Sequence, residues 1–289
     1  MRNGSILMNA QFLAQFIVKL IPSCSMRARL RQSAIVRGVI RWLFGGIKST
    51  PYHGTNFNIY FDGYKNVGFL ARNTSEMESK EKEIVCNLLT KLKPLCVWDI
   101  GANIGSWSLF LSSLCPDTKV VCFEPDPDNV KFLELNRNKN KITTWTIKPF
   151  AVSSEPCEMV FAFDPTTGST GTLQINEPLW TEKYFHSKTT RNVINVTSID
   201  NEVLRETPVP QFIKCDVEGH ELSVFLGGAN FFQEHHPVIL FEDSGKQETA
   251  DLLRSIGYKF FNLNGKEIET PDFNTLAVHL SSIDMLMIQ

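Results

Sequence analysis

Val97-Trp98-Asp99-Ile100-Gly101-Ala102-Asn103-Ile104-Gly105 carries an apolar run into an acid and then into alternating small residues, and a helical pattern begins directly after it. This reads as a buried parallel strand, a tight glycine turn and a helix. Glycines at 101 and 105 allow a turn that a ligand can approach at bare backbone. The start of the helix offers unpaired N–H groups. The next apolar run, Lys119-Val-Val-Cys-Phe-Glu124, ends in an acid 23 residues after Gly101. An acid at the tip of the second strand is placed to hold two ribose hydroxyls. Together these features describe a nucleoside-cofactor site on a doubly wound sheet.

The glycine spacing narrows the cofactor. A dinucleotide turn usually reads G-x-G-x-x-G and closes on a pyrophosphate. Here the pattern is G-x-N-x-G, led by Asp99. It suits a cofactor without phosphates, with an amino-acid tail whose ammonium meets a carboxylate. S-adenosylmethionine has both the ribose and that ammonium.

The chain has 289 residues and 43% hydrophobic content, enough for one full α/β domain with additions. Charge is unevenly spread: the first 61 residues hold eight basic residues and no acid, and the remainder has 21 basic against 31 acidic residues. An acidic catalytic part argues against a nucleic-acid partner. Seven cysteines without C-x-x-C spacing read as small buried hydrophobes in a reducing compartment. Asn73-Thr-Ser and Asn195-Val-Thr match the glycosylation triplet, but nothing else suggests secretion, and a cytoplasmic protein is expected.

Three regions follow. Residues 1–50 form a basic arm: Ile6 to Ile21 is too short and too polar to span a membrane. Met26 to Phe44 mixes five arginines with Ile35, Val36, Val39, Ile40, Trp42 and Leu43. That pattern suits either peripheral contact with an anionic membrane or packing against the core or a second copy. Residues 51–94 read as a hairpin, turning at Asp62-Gly63, and a helix. Residues 95–289 alternate strands and helices, with an irregular Thr-, Ser- and Gly-rich insertion at about 164–190. Such alternation implies a mostly parallel sheet covered on both faces.

The second chemical block is Phe212-Ile-Lys-Cys-Asp-Val-Glu-Gly-His-Glu221. Asp216, Glu218, His220 and Glu221 crowd the carboxyl end of a buried strand, where open parallel sheets bind ligands. Clustered carboxylates repel one another unless a cation or a shared proton compensates. Asp216 reads as functional, whereas Glu221 is as readily a helix cap and His220 an exposed turn residue.

The chain resembles the FkbM family of S-adenosylmethionine-dependent methyltransferases. The matching pieces are Asp99 to Gly105, Phe123-Glu-Pro125, Ala151-Val-Ser153, Ile213 to Glu221, Gly227-Gly-Ala229 and Pro237 to Glu242. The resemblance implies a class I, Rossmann-like α/β fold: a doubly wound, seven-stranded sheet with a reversed last strand. It implies methylation of a hydroxyl on a sugar, glycolipid or polyketide-like compound. It assigns Asp99, Gly101 and Asn103, with Gly105 in the same turn, to the methionine part of the cofactor. Glu124 would bind the ribose, Ala151 would lie near the adenine, and Asp216 would sit beside the methyl group.

Methyl transfer to a hydroxyl requires in-line alignment and a group to take the proton. Asp216 is the expected base, with Glu218 and His220 as alternatives. Glu242 and Ser169 are expected at the substrate, although the Gly168-Ser-Thr-Gly171 loop that carries Ser169 reads slightly better as plain turn chemistry. A divalent metal on Asp216, Glu218 and Glu242 is possible but not favoured, because nothing in the spacing demands it. A nicotinamide-dependent oxidoreductase and a non-catalytic scaffold at a membrane are the competing readings.

Overall fold

The computed structural model describes residues 32–71, 77–176, 178–186, 188–242 and 247–286. The Ile6–Ile21 stretch, the first part of the basic arm and the Asn73 triplet lie outside them. The arm is seen from the helix Ala34–Phe44, capped by Ser33, whose hydroxyl accepts from the Val36 N–H. Strands β1 (Ile47–Pro51) and β2 (Asn58–Asp62) then pair antiparallel. The hairpin expected around Asp62-Gly63 does not form: β2 is the second strand of a hairpin that turns at Tyr52–Phe57, and Gly68–Ala71 beyond it is a short helix. Asp62 closes the far end of β2 instead, its carboxylate accepting from the Tyr64 and Lys65 N–H groups. The Asp-Gly pair lacked a second apolar run on its far side, which a hairpin turn needs.

The core follows the expected alternation. β3 (Cys96–Ile100), β4 (Lys119–Phe123) and β5 (Trp145–Lys148) are parallel neighbours. The helix Pro127–Lys139 starts where Asp126 caps the Asp128 N–H and Pro127 pre-sets the first turn. The expected third strand, Thr143–Phe150, is shorter. After it, β6 (Ala151–Val152), β7 (Cys157–Phe163) and β8 (Thr190–Thr197) leave the main sheet and form a separate three-stranded sheet in the order β6-β8-β7. β9 (Phe212–Cys215) and β10 (Val238–Glu242) return parallel to β3. β11 (Tyr258–Phe261), β12 (Glu267–Ile268) and β13 (Asn274–His279) complete an eight-stranded sheet of order β12-β11-β13-β10-β9-β3-β4-β5. β13 runs antiparallel between β10 and β11. This is the class I order with its reversed strand, extended by the two-residue edge strand β12.

Strand alternation sorts the central side chains onto two faces. Trp98, Ile100, Phe123, Ile213 and Phe241 pack on one face with Phe225 and Phe232. Val97, Val120, Phe212 and Leu240 face the other, under Trp107 and Leu109. Asp99 and Lys214 fall on this second face as facing register partners of β3 and β9. Two ionisable side chains are thus carried inside an apolar layer, at the end of the sheet where the site lies.

Candidate active site

At the carboxyl ends of β3, β4 and β9 the main sheet, the small sheet and the 164–171 loop line a cleft. Its walls include Gly101, Asn103, Glu124, Asn129, Ala151, Ser169, Asp216, Glu218 and His220. Six residues expected around cofactor or substrate, Gly101, Asn103, Glu124, Ala151, Ser169 and Asp216, therefore share one cavity.

The glycine turn has a steric cause. Gly101 has φ +82°, and a Cβ there would lie 1.8 Å from the Asp216 carbonyl oxygen. The Asp216 N–H donates to Ile100 O at 3.0 Å, and Gly101 and Ala102 N–H both donate to Phe123 O. The turn is thus locked between the ends of β4 and β9. Gly105, with φ +91°, differs from expectation: it does not face the cleft. A Cβ there would meet Leu133 at 2.6 Å, so it is needed for close packing beneath the turn.

Glu124 is buried and gathers donors. Its carboxylate accepts from the Asn103 N–H at 2.8 Å, the Asp126 N–H at 2.9 Å and Asn129 Nδ2 at 3.3 Å. Burial pushes its carboxyl up to about 7, against the lowering effect of the hydrogen bonds. Asn103 Nδ2 and Asn129 Nδ2 both donate to Gly168 O at 2.8 Å, stapling the insertion over the turn. That loop is organised by Asp164, which accepts from the N–H groups of Thr166, Thr167, Ser169 and Thr170 and from both threonine hydroxyls at 167 and 170. Burial opposes ionisation of Asp164, but these donors hold its carboxyl below the usual range.

Asp99 is a correction. It is fully buried, does not line the cleft, and accepts from the Ser108 hydroxyl at 2.5 Å. Its other oxygen has no hydrogen-bond partner among the described residues. Burial raises its carboxyl, while Lys214 and Ser108 counteract. Alternation put Asp99 on the inner face of β3, which the terminal position of an acid in a motif does not reveal.

Lys214, which the sequence reading assigned no role, ties the two blocks together. Its Nζ donates to Asp216 Oδ2 at 2.8 Å and lies 5.7 Å from the Trp107 ring centre. Burial would depress this ammonium, but Asp216, Asp99 and Glu78 more than offset it and hold it above its ordinary value. A lysine inside the otherwise apolar Phe212–Cys215 run was the signal available.

The remaining acids divide by role. Glu221 is a structural cap: its carboxylate accepts from the Val217 and Gly219 N–H groups. Glu218 lines the cleft at φ +56°, and burial plus the charges of Asp216, Glu242 and Glu221 push it up to about 8. Glu242 lies outside this cleft, on a second cavity that shares Asp216. Burial and the neighbouring Asp216 raise it to about 8 as well. His220 is buried rather than exposed, with Nε2 2.9 Å from the Ser153 hydroxyl and Nδ1 3.2 Å from the Gln174 amide. Both ring nitrogens are engaged, which ties the turn after β9 to Ser153 at the end of β6 and to Gln174. Among the described residues, no three His, Cys, Asp or Glu side chains converge as a metal set. The ammonium of Lys214 supplies positive charge at the acidic cluster.

The profile of the methyltransferase FkbM domain matches residues 99–260, more than half of the chain. The hexuronic acid methyltransferase AglP of Haloferax volcanii is 29% identical over 147 residues, which is 50% of this chain and 54% of that protein. The chain thus spans about half the length of this curated relative. A solved FkbM methyltransferase from Methylobacillus flagellatus superposes with a TM-score of 0.42 at 20% identity, covering 63% of this chain and 43% of that one. P. horikoshii TYW2, solved with MeSAdo, gives 0.41 at 14% identity over 81% of this chain and 72% of that one.

Proposed function

The chain belongs to the FkbM methyltransferase family, and from that premise we propose that it moves a methyl group from S-adenosylmethionine to a hydroxyl of a sugar or sugar-like acceptor. The observation that carries the reading is the shared cleft: Glu124, Asn129, Phe150 and Ala151 line the same cleft as Asp216. The sugar reading draws on the relative named for a hexuronic acid. Glycolipids and polyketide-like compounds present the same hydroxyl chemistry.

The residues fit the cofactor. Glu124 would take the ribose hydroxyls on the acceptor sites left beside its backbone donors. Gly101 and Asn103 would run along the methionine part, and Phe150 and Ala151 would face the adenine. Ser169 would close the cleft from the insertion. When bound, S-adenosylmethionine supplies a methyl on positively charged sulfur, activated for attack by an oxygen in line with it. Asp216 takes the hydroxyl proton as the new C–O bond forms. Lys214, 2.8 Å away, orients that carboxylate. Asp216→Asn should abolish methyl transfer from labelled S-adenosylmethionine while leaving cofactor affinity within about twofold. Unchanged turnover would remove Asp216 from this role.

We further propose that the arm meets an anionic membrane on the cytoplasmic side. The helix Ala34–Phe44 buries Phe44 and packs Ile40 and Leu43 on the core, yet leaves Ile35 80%, Val39 50% and Trp42 83% exposed. No helix among the described residues is long and apolar enough to cross a membrane. An apolar stripe in a segment with eight basic residues and no acid suits surface contact with anionic lipid. Co-sedimentation with phosphatidylglycerol vesicles, reduced by Trp42→Ser, tests this; a Trp42-dependent dimer without lipid binding would replace it.

A further inference from the structure

Asp216 borders a second cavity, open to solvent, between the start of the helix Ser79–Leu92, Trp107 and the sheet-edge residues Glu242 and Asn274. The acceptor oxygen has to meet the methyl group beside Asp216. The rest of the acceptor must then occupy space that adjoins Asp216 without belonging to the cofactor, and this cavity is such a space.

Its walls describe what fits. Four carboxyl groups (Glu78, Glu81, Asp216, Glu242) face two ammonium groups, Lys80 and Lys214. Lys214 is committed to Asp216 at 2.8 Å. Asn274 Nδ2 donates to Glu81 Oε1 at 3.0 Å, which fixes one carboxylate in the wall. Phe273, 67% exposed, offers an apolar ring at the rim. Carboxylates accept readily from hydroxyls, and an aromatic face packs against the C–H face of a sugar ring. Because Lys214 is already held by Asp216, a ligand carboxylate would meet mainly other carboxyl groups among the described lining residues. A third carboxylate brought beside Asp216 and Glu242 would add repulsion to a pair already crowded.

We propose that this cavity is the acceptor site and that it takes an uncharged polyhydroxyl ring, a neutral sugar, in preference to a uronate. The inference rests on the methyl-transfer reading above. Matched pairs that differ only at the sixth carbon test it: p-nitrophenyl β-glucoside against β-glucuronide, and β-galactoside against β-galacturonide. Binding is followed by saturation-transfer-difference NMR on the full chain saturated with S-adenosylhomocysteine, whose own affinity is measured first. The expected result is at least about tenfold tighter binding of the neutral member of a pair. Phe273→Ala should weaken it about fivefold without changing S-adenosylhomocysteine affinity. Uronides that bind as well or better, an unaffected Phe273→Ala, or no glycoside bound to cofactor-loaded protein would each overturn the proposal. Failure to bind S-adenosylhomocysteine would instead overturn the methyl-transfer reading, and this inference with it.

Discussion

Glu124 gives the sharpest quantitative handle on the site. Burial raises its carboxyl from an ordinary 4.5 to about 7 in the free protein. A carboxyl raised in the folded state binds its proton more tightly there than in the unfolded chain. It therefore adds stability below about pH 4.5 that is lost as pH rises toward 7. At 1.36 kcal/mol per pH unit, the contribution is about 3 kcal/mol. The ribose hydroxyls would donate to the ionised form, so binding should strengthen over the same interval. With half-ionisation near 7, about 10% of Glu124 is ionised at pH 6 and about 90% at pH 8, and affinity should rise about tenfold. The probe is 5′-methylthioadenosine, which carries the adenosine but no amino-acid tail, so that only the ribose end is read. Calorimetry at pH 6 and pH 8 in buffers of different ionisation enthalpy should also show proton release at the lower pH. Glu124→Gln should flatten the pH dependence. Affinity that is flat in wild type, or that falls with pH, would refute the ribose role of this carboxylate.

Other variants probe the supporting structure. Lys214→Met leaves Asp99 and Asp216 without their shared cation. Breaking a buried pair in this way should cost about 3–5 kcal/mol in denaturant unfolding. The loss should shrink as pH falls, because burial raises Asp99 and protonation relieves it; a loss independent of pH would argue against it. Gly101→Ala forces a left-handed residue at about 1–2 kcal/mol and drives a methyl into the Asp216 carbonyl. It should lower the melting temperature and weaken S-adenosylhomocysteine binding together, and wild-type values for both would contradict the packing argument. Asp164→Ala removes the acceptor that gathers the Thr166–Thr170 amides. Their hydrogen exchange should quicken at least about tenfold, and unchanged protection would mean the loop is held from elsewhere.

The fold was legible because the core strands are periodic and well punctuated. β4 falls on the expected residues, and Asp126-Pro127 marks the start of its helix through cap and φ preference alone. What was hidden depends on contacts distant in sequence. The separate sheet β6-β8-β7 arises because β8 returns after a long insertion to pair with both β6 and β7. Nothing local to Ala151-Val152 announces that. The same holds for the site. Glu124 and Asp216 could be read from strand ends, where ligands gather. Whether an acid at such an end faces the cleft or the core depends on a single residue of alternation, and that sent Asp99 inward to Ser108. Asn103 and Asn129 staple the insertion through Gly168 O, a partner supplied 65 and 39 residues away. Lys214 stood in plain view within the second block, but its meaning required knowing that β3 and β9 are neighbours.

The central claim is that the cleft is built for S-adenosylmethionine, with Glu124 at one end and Asp216 at the other. Isothermal titration of the full chain with S-adenosylhomocysteine tests it most directly, with Glu124→Ala and Asp216→Asn alongside. One molecule should bind per chain, with affinity weakened at least about tenfold in Glu124→Ala and near wild type in Asp216→Asn. No binding to the folded protein, or binding indifferent to Glu124, would contradict it.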